Sequence, residues 1–398
     1  MTRRLLITIA FPPDLGGMQE FALARACAAR PDDIVVIAPE MVGWADFDCH
    51  MAFRVLRWPT PRTPNPSPER GGPRRFSLSL WERAGVRVLK RVSQVVFPLS
   101  LALRLHRRWR FDVIECWQPL PCGLVGFILS RLFGAPYIVW SHGGDLLRGR
   151  RSPGFTPLLR FVLRHAQRIA ANSEATRDLL RALGVPAGRV CVIHPPVDAA
   201  RFRPDLDGSS IRDRHALQGK KVLLTVARLV EHKGVDAVIR ALPQIAASVP
   251  EAVYLVAGEG PDRTRLERLA KELGVQERVI FAGRVFRQPD EAPRYFAACD
   301  VFIMPSRHIP ATGQVEGFGI VYLEAGACGK PVVAGRGGGV AEAVEDGVTG
   351  LIVDPHDVDA VARAATRLLS DDGLARNMGA AGRRRAEQPA DWSCLEAG

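Results

Sequence analysis

The chain has 398 residues, 47% hydrophobic and 24% charged, with a formal net charge of +12. Those proportions describe a soluble globular protein, and the length predicts two domains rather than one core. An integral membrane protein is excluded, because no stretch reaches the ~18 uninterrupted apolar residues of a spanning helix: the nearest approach, GLVGFILSRLFGAPYIVW, is broken by Arg131 and Pro136.

The opening run, MTRRLLITIAF, looks like the start of a signal peptide, but it stops at Pro12-Pro13 and lacks a small-residue cleavage site. It is read as a buried first strand. Further strands are predicted in the first half at 33–39, 53–58, 111–116, 136–141, 168–173 and 190–195, and in the second half at 221–227, 253–259, 278–283, 301–306 and 331–335. Amphipathic segments alternate with them: EFALARACAAR, VDAVIRALPQIAASV, RTRLERLAKELGV, VYLEAGACG and VDAVARAATRLLS. Alternation of this kind signals a parallel sheet flanked by helices. Two consecutive sets predict two α/β doubly wound domains, each taking a ligand at the carboxyl ends of its strands. The polar segment 198–219 is read as the link between them. Residues 61–88, rich in Pro, Arg, Ser and Gly, resemble a translated genomic repeat and are expected to be an unstructured insertion in a surface loop, which costs little loop entropy.

Charge is unevenly spread. Residues 1–200 carry +13 and residues 201–398 carry −1, with +12 in residues 51–110 alone. Such a band suits an anionic partner: a phospholipid surface, a lipid diphosphate or nucleic acid. The equally weighted reading is a solvated arginine-rich loop. The eight cysteines (27, 49, 116, 122, 191, 299, 328, 394) form no C-x-x-C and no cluster with histidine, so no metal site is expected and a reducing cytoplasm fits.

Four stretches carry chemistry. In PPDLGGMQE, Gly16 and Gly17 sit at a strand-to-helix turn where backbone amides can approach an anion. In WSHGGD, His142 follows a buried strand, at the end where such folds keep their ligands. In TVARLVEHKG, Arg228 and Lys233 are close enough across a turn to reach the same phosphates. In VEGFGIVYLEAGACGKP, Gly317-Phe318-Gly319 reads as a loop entering a helix at about Ile320, so that Glu316 precedes the helix and Glu324 lies within it. Each stretch has a plainer reading: turn glycines, a structural histidine, solvated cations, and a cap plus a surface glutamate. Together they describe a site for a sugar on a nucleoside diphosphate. None of these four stretches contains a D-x-D that could bridge a metal, so cationic side chains would hold the diphosphate.

The ordered set PPDLGGMQE, SHGGD, ANSEATRDLL, VIHPPVDAARFRP, TVARLVEHKG, VAGEGPDRTRLE, EGFGIVYLEAGACGKPVVA and GGGVAEAVEDGVTGLIVDP resembles the retaining glycosyltransferases of the E-x7-E class (family 4). FPPDLGGMQ and PSRHIPATGQVEGFGIVYLEA look most like bacterial phosphatidylinositol mannosyltransferases. The resemblance implies the GT-B fold, two Rossmann-like domains facing a central cleft. Residues 1–200 would bind the acceptor, 201–372 the nucleotide sugar, and 373–398 would pack back toward the first domain.

It further implies that Gly17 offers an amide to the diphosphate beside Gly16, that Arg228 and Lys233 neutralise it, and that His142 contacts the sugar near O6. Glu316 would bind its O3/O4 hydroxyls, and Phe318, Gly319 and Ile320 would present backbone. Glu324 would hold the ribose, and Gly283-Arg284-Val285 would meet the base. The donor favoured is GDP-mannose over a UDP-sugar, with no cofactor and no nucleic-acid partner. The acceptor is a lipid-linked or polysaccharide hydroxyl of the cell envelope, and the place is the cytoplasm or the inner membrane face. SHGGD departs from the family's H-G-x-E, with Asp145 in the acidic place, and the chain ends where relatives continue a helix.

No side chain is expected to act as a covalent nucleophile, so transfer is read as front-face substitution with charge growing on the diphosphate. Three other readings remain: a nucleotide-sugar epimerase, a dinucleotide oxidoreductase prompted by GRGGGVAEA but lacking G-x-G-x-x-G spacing, and a non-catalytic binding protein. Segments 88–110 and 146–168 mix basic and apolar residues as interfacial helices do.

Overall fold

A computed structural model describes residues 2–13, 16–60, 80–150, 154–284 and 291–395. Two parallel sheets organise it. The first contains β1 (Arg4–Ile7), β2 (Ile34–Pro39), β3 (Arg54–Trp58), β4 (Val113–Cys116), β5 (Tyr137–Ser141), β6 (Arg168–Ala171) and β7 (Val190–Val192), in the order β3-β2-β1-β4-β5-β6-β7. The second contains β8 (Lys221–Val226), β9 (Ala252–Ala257), β10 (Val279–Gly283), β11 (Val301–Met304), β12 (Val332–Gly335) and β13 (Gly350–Val353), in the order β10-β9-β8-β11-β12-β13.

Strands covered by helices on both faces read as near-continuous apolar runs, and most positions of these strands are apolar, with charged exceptions such as Arg4 and Glu115. In the second sheet, Val222, Leu224 and Val226 of β8 join Phe302 and Met304 in one core. Leu223 points the other way, with Val301 and Ile303, against the helices Val235–Ser248 and Val358–Ser370. Alternation along the pleat thus serves two cores from one strand.

The chain divides into two compact units. One comprises Met1–Ser141, Gly149–Ala170 and Arg181–Cys191; the other comprises His142–Arg148, Ala171–Leu180 and Val192–Gly398. In the first unit Glu115 of β4 is completely buried and accepts hydrogen bonds from Arg4 Nη1 (3.0 Å), Arg25 Nε (3.0 Å) and Nη2 (2.6 Å), and Trp140 Nε1 (3.1 Å).

Two expectations need correction, and one strand was not foreseen. Segment 198–219 is more than a link: it forms the helix Ser209–Arg214, and Phe202, Ile211 and Leu217 enter the core of the second unit. Its apolar residues are too widely spaced to show a period. The insertion read as unstructured over 61–88 is helical from Leu80, where the long helix Leu80–His106 begins. Pro73 is the last proline before Pro98, and Trp81-Glu82-Arg83-Ala84 consists mainly of good helix formers. Residues 61–79 lie outside the described residues. The strand β13 was not anticipated, because four residues at a sheet edge carry too little pattern.

The helix Asp372–Ala386 crosses the helix Ile320–Ala327 so closely that a Cβ on Gly326 would meet the Gly382 carbonyl oxygen at 3.0 Å. Arg383 donates to the carbonyls of Ala327 (2.9 Å), Ala199 (2.9 Å) and Phe202 (2.8 Å). One guanidinium therefore caps the C-terminal turn of the helix that begins at Ile320.

Candidate functional site

In the second sheet β8 lies between β9 and β11, so the strand order reverses between β8 and β11. Such a switch point opens a crevice at the carboxyl ends of the two strands. After β8 the chain passes Arg228, makes the 3-10 turn Glu231–Lys233, and enters the helix Val235–Ser248 through Gly234. Gly234 has φ +72°, and a Cβ there would lie 2.0 Å from the Pro305 carbonyl oxygen. Only glycine allows the β8 loop to press this tightly on the residue just past β11.

The crevice brings two predicted residues into contact. Lys233 Nζ lies 2.5 Å from Glu316 Oε2, with the side chains 17% and 13% exposed. His232 is buried beside them, 3.3 Å from Gln314 Oε1 through Nδ1, and its carbonyl accepts the Arg307 N–H at 2.8 Å. Burial, then the charge of Lys233, lowers the His232 pKa to about 4. This imidazole is neutral at physiological pH. Arg307 is buried and anchored to Asp236 at 2.9 Å. Arg228 is exposed, and among the described residues its guanidinium has no ion-pair partner.

The loop from Glu316 to Gly319 leads into the helix Ile320–Ala327, which starts where the sequence placed it. Gly319 has φ +91° and sits over the Tyr322 ring. Tyr322 is buried, its hydroxyl donating to the Met304 carbonyl at 2.8 Å, and burial pushes its pKa well above the usual tyrosine range. A Cβ on Gly317 would approach the His142 carbonyl oxygen to 2.3 Å and Asn172 Nδ2 to 3.0 Å. From the other side, the Gly339 N–H donates to the Glu316 carbonyl at 3.1 Å. The loop is thus held between the segment carrying His142 and Asn172 and the glycine run Gly337-Gly338-Gly339. Glu324 is on the same helix and 8% exposed, so it is not a surface glutamate.

His142, Lys233, Glu316, Phe318, Gly319, Ile320 and Glu324 therefore share one region of the second unit. Asp145, in the acidic place of SHGGD, turns back to accept the N–H of His142 (3.2 Å) and of Leu146 (2.9 Å). Arg284 is exposed just past β10, and Val285 lies outside the described residues. Gly16 and Gly17 belong to the first unit, exposed at the start of the helix Gly17–Cys27, where the Gly16 carbonyl accepts the N–H of Gln19 and Glu20. That helix follows β1, which lies beside β4 at the switch point of the first sheet.

The sequence reading missed several residues. The glycine run was noted as a weak dinucleotide signal and as part of one family motif, with no role in the site, yet it backs the Glu316 loop. Glu342, on the short helix Val340–Ala343, accepts the N–H of Glu174 (2.7 Å) and of Ala175 (3.2 Å), and its Oε2 lies 2.8 Å from His194 Nε2. The signal available was its position three residues after Gly339.

Residues 208–385 match the family described as glycosyl transferases group 1, and residues 16–196 match a glycosyl transferase 4-like domain. A GDP-mannose-dependent alpha-(1-6)-phosphatidylinositol monomannoside mannosyltransferase of Mycolicibacterium smegmatis is 35% identical over 394 residues, covering 98% of this chain and 94% of its own. The chain belongs to this glycosyltransferase family. A Mycobacterium tuberculosis enzyme with the same description is 33% identical to the glycosyltransferase over 405 residues, covering 100% of this chain and 97% of its own. Among solved structures, Anabaena HepE in complex with UDP and glucose superposes with a TM-score of 0.75 at 23% identity, over 98% of this chain and 95% of that one. The glycosyltransferase shares its GT-B fold of two Rossmann-like domains.

Proposed function

We propose that this glycosyltransferase moves mannose from GDP-mannose to a hydroxyl of a lipid-linked acceptor, with retention at the anomeric carbon. The observation that carries the donor assignment is the meeting of Lys233 and Glu316 at the β8/β11 switch point, beside the exposed Arg228 and the start of the helix Ile320–Ala327. The names of the relatives support GDP-mannose and a phosphatidylinositol monomannoside acceptor.

In this reading Lys233 and Arg228 hold the diphosphate. Lysine has three N–H donors, and one bond to Glu316 leaves two for phosphate oxygens. Helix N–H groups at Gly319 and Ile320 face the same charge, because the first turn lacks intrahelical acceptors. Glu316 accepts from sugar hydroxyls, His142 lies on the sugar side, and Glu324 accepts from the ribose. Arg284 meets the base. The bond from C1 to the diphosphate oxygen breaks as the acceptor oxygen bonds to C1 on the same face. The acceptor's proton passes to the departing phosphate oxygen. The protein's part is to stabilise the charge that grows on that oxygen.

A thermal-shift panel of GDP, UDP and ADP with their common sugars tests the donor, since a ligand that binds the native state raises its stability. Selective stabilisation by GDP and GDP-mannose is expected; selective stabilisation by UDP would overturn the base. Sugar transfer that depends on added acceptor separates this reading from an epimerase, which needs none.

Peripheral contact with an anionic membrane belongs to the same proposal. On the helix Leu80–His106, Val92, Val96, Phe97 and Leu103 are exposed, and exposed Arg104, Arg107 and Arg108 follow. Residues 92, 96 and 103 fall on one helical face, the pattern of an interfacial helix. Among the described residues, no helix is long and apolar enough to cross a membrane. Co-sedimentation with phosphatidylglycerol vesicles that weakens with salt is expected; equal binding to neutral vesicles would overturn the contact.

A further inference from the structure

Glu342 is distant from the donor loop in sequence, yet its carboxylate joins three separate pieces of the second unit. The amides it accepts, those of Glu174 and Ala175, belong to the first turn of the helix Glu174–Ala182. First-turn amides lack intrahelical partners, so Glu342 caps that helix from 168 residues away. Its third donor is His194, whose ring stacks on Phe318 with centroids 5.3 Å apart and planes at 25°. Three residues before it, the Gly339 N–H bonds the Glu316 carbonyl. A Cβ on Gly339 would come within 2.9 Å of Ser173 Cβ, just ahead of the capped helix. Arg385 steadies the clamp by donating to the Glu342 carbonyl.

The electrostatics agree with an ionised carboxylate. Burial, the largest influence, raises the Glu342 pKa, but hydrogen bonds from His194 and from the Glu174 and Ala175 amides outweigh it and leave the pKa below the usual value. A carboxylate accepting three donors is a strong, charge-assisted fastening.

We propose that Glu342 is a positioning residue for the sugar end of the donor site. This rests on the donor reading given above. Through His194 the carboxylate fixes the ring of Phe318. Through the capped segment it fixes Asn172, which fills the space at Gly317, and Ser173, which lies against Gly339. The phosphate end is fastened separately, by Gly234 against Pro305 and by Arg307 on Asp236. Loss of the Glu342 charge should therefore misplace the sugar relative to the acceptor and leave nucleotide binding intact.

The experiment compares Glu342→Gln, His194→Asn and Lys233→Ala with the unaltered chain, all assayed well below their melting temperatures. Turnover is measured with the sugar nucleotide selected by the thermal-shift panel, and affinity for its nucleoside diphosphate by calorimetry. Glu342→Gln keeps one acceptor oxygen and the side-chain volume. It should lower kcat about tenfold with the diphosphate Kd unchanged within about threefold, as expected for weakening charged hydrogen bonds that act on position. His194→Asn should lower kcat several-fold in the same pattern, and the double variant should show less than the product of the two effects, because both act through one clamp. Unchanged kcat in Glu342→Gln with only a lowered melting temperature would overturn the proposal, as would a parallel loss of diphosphate affinity. Should Glu342→Gln fail to fold, His194→Asn decides alone: normal kcat there refutes the clamp. Lys233→Ala separates the two ideas, because full turnover and diphosphate binding in that variant would refute the donor reading whatever the clamp variants do.

Discussion

Each unit sets a glutamate against cations, and the two are built to opposite ends. Glu115 lies in the middle of the first sheet with no exposure, its oxygens filled by Arg4, Arg25 and Trp140. Burial raises its pKa most strongly as a single influence, and the two arginines more than offset it. Glu316 lies past the end of β11, where Lys233 is its ion-pair partner among the described residues, and both side chains reach solvent. The first cluster leaves no bonding capacity for a ligand. The second keeps donors on Lys233 and an oxygen on Glu316 that other groups can use. Similar residue types thus form a structural member in one place and a binding site in the other, and the difference is saturation and depth rather than charge.

The largest expected effect comes from breaking the saturated cluster. Glu115→Gln leaves two buried guanidiniums without their counter-charge, and losing one partner of a buried ion pair costs about 3–5 kcal/mol. Urea unfolding should show the first unit melting far earlier than normal, while turnover per folded molecule is unchanged. A small shift would mean that Glu115 is as replaceable as a surface acid. Breaking the unsaturated pair should do the reverse. Lys233→Ala is expected to lower kcat about a hundredfold, the loss of ~3 kcal/mol of transition-state stabilisation typical of one well-placed donor. Its melting temperature should barely move. Near-normal turnover with an intact fold would remove Lys233 from the phosphate site.

The smallest effect sharpens the comparison through pH. With a pKa of about 4 in place of 6.5, His232 resists protonation in the folded chain. As pH falls from about 6.5 toward 4, the unfolded chain takes up a proton that the folded chain refuses, so stability falls. The carboxylates with lowered pKa, Glu115 and Glu342, act lower still: their contribution is present above the ordinary carboxylate pKa and is lost as pH drops through the folded value. His232→Gln should flatten the stability curve between pH 6.5 and 4.5 and leave the steeper loss below it. Unfolding free energies measured across that range check the sign.

Much of the fold was legible because buried parallel strands write themselves as apolar runs. LLITIAF, DIVVIAP, KVLLTVA and VFIMPS each became a strand shifted or trimmed by a residue or a few at the ends. The start of the helix at Ile320 was legible for a local reason as well, since Gly317 and Gly319 mark where the chain turns. Other parts left no local trace. Phe202, Ile211 and Leu217 are spaced by nine and six residues, which fits neither a helical nor a strand period. Glu342 looks like any glutamate on a short helix, because its partners at 174, 175 and 194 are unknowable until the chain folds.

By itself, then, the sequence determined two doubly wound domains and the succession of most strands along the chain, because periodicity and burial are local properties of the chain. It also determined which stretches fall at carboxyl ends, and so which glycines, cations and carboxylates were candidates. Tertiary structure alone decided which charges meet. It paired Glu316 with Lys233, 83 residues apart, and enclosed Glu115 between arginines 90 and 111 residues away. It also bound Glu342 to amides 168 and 167 residues earlier. A carboxylate's role depends on the donors that surround it in space, and those donors come from elements whose proximity is set by sheet order rather than by sequence.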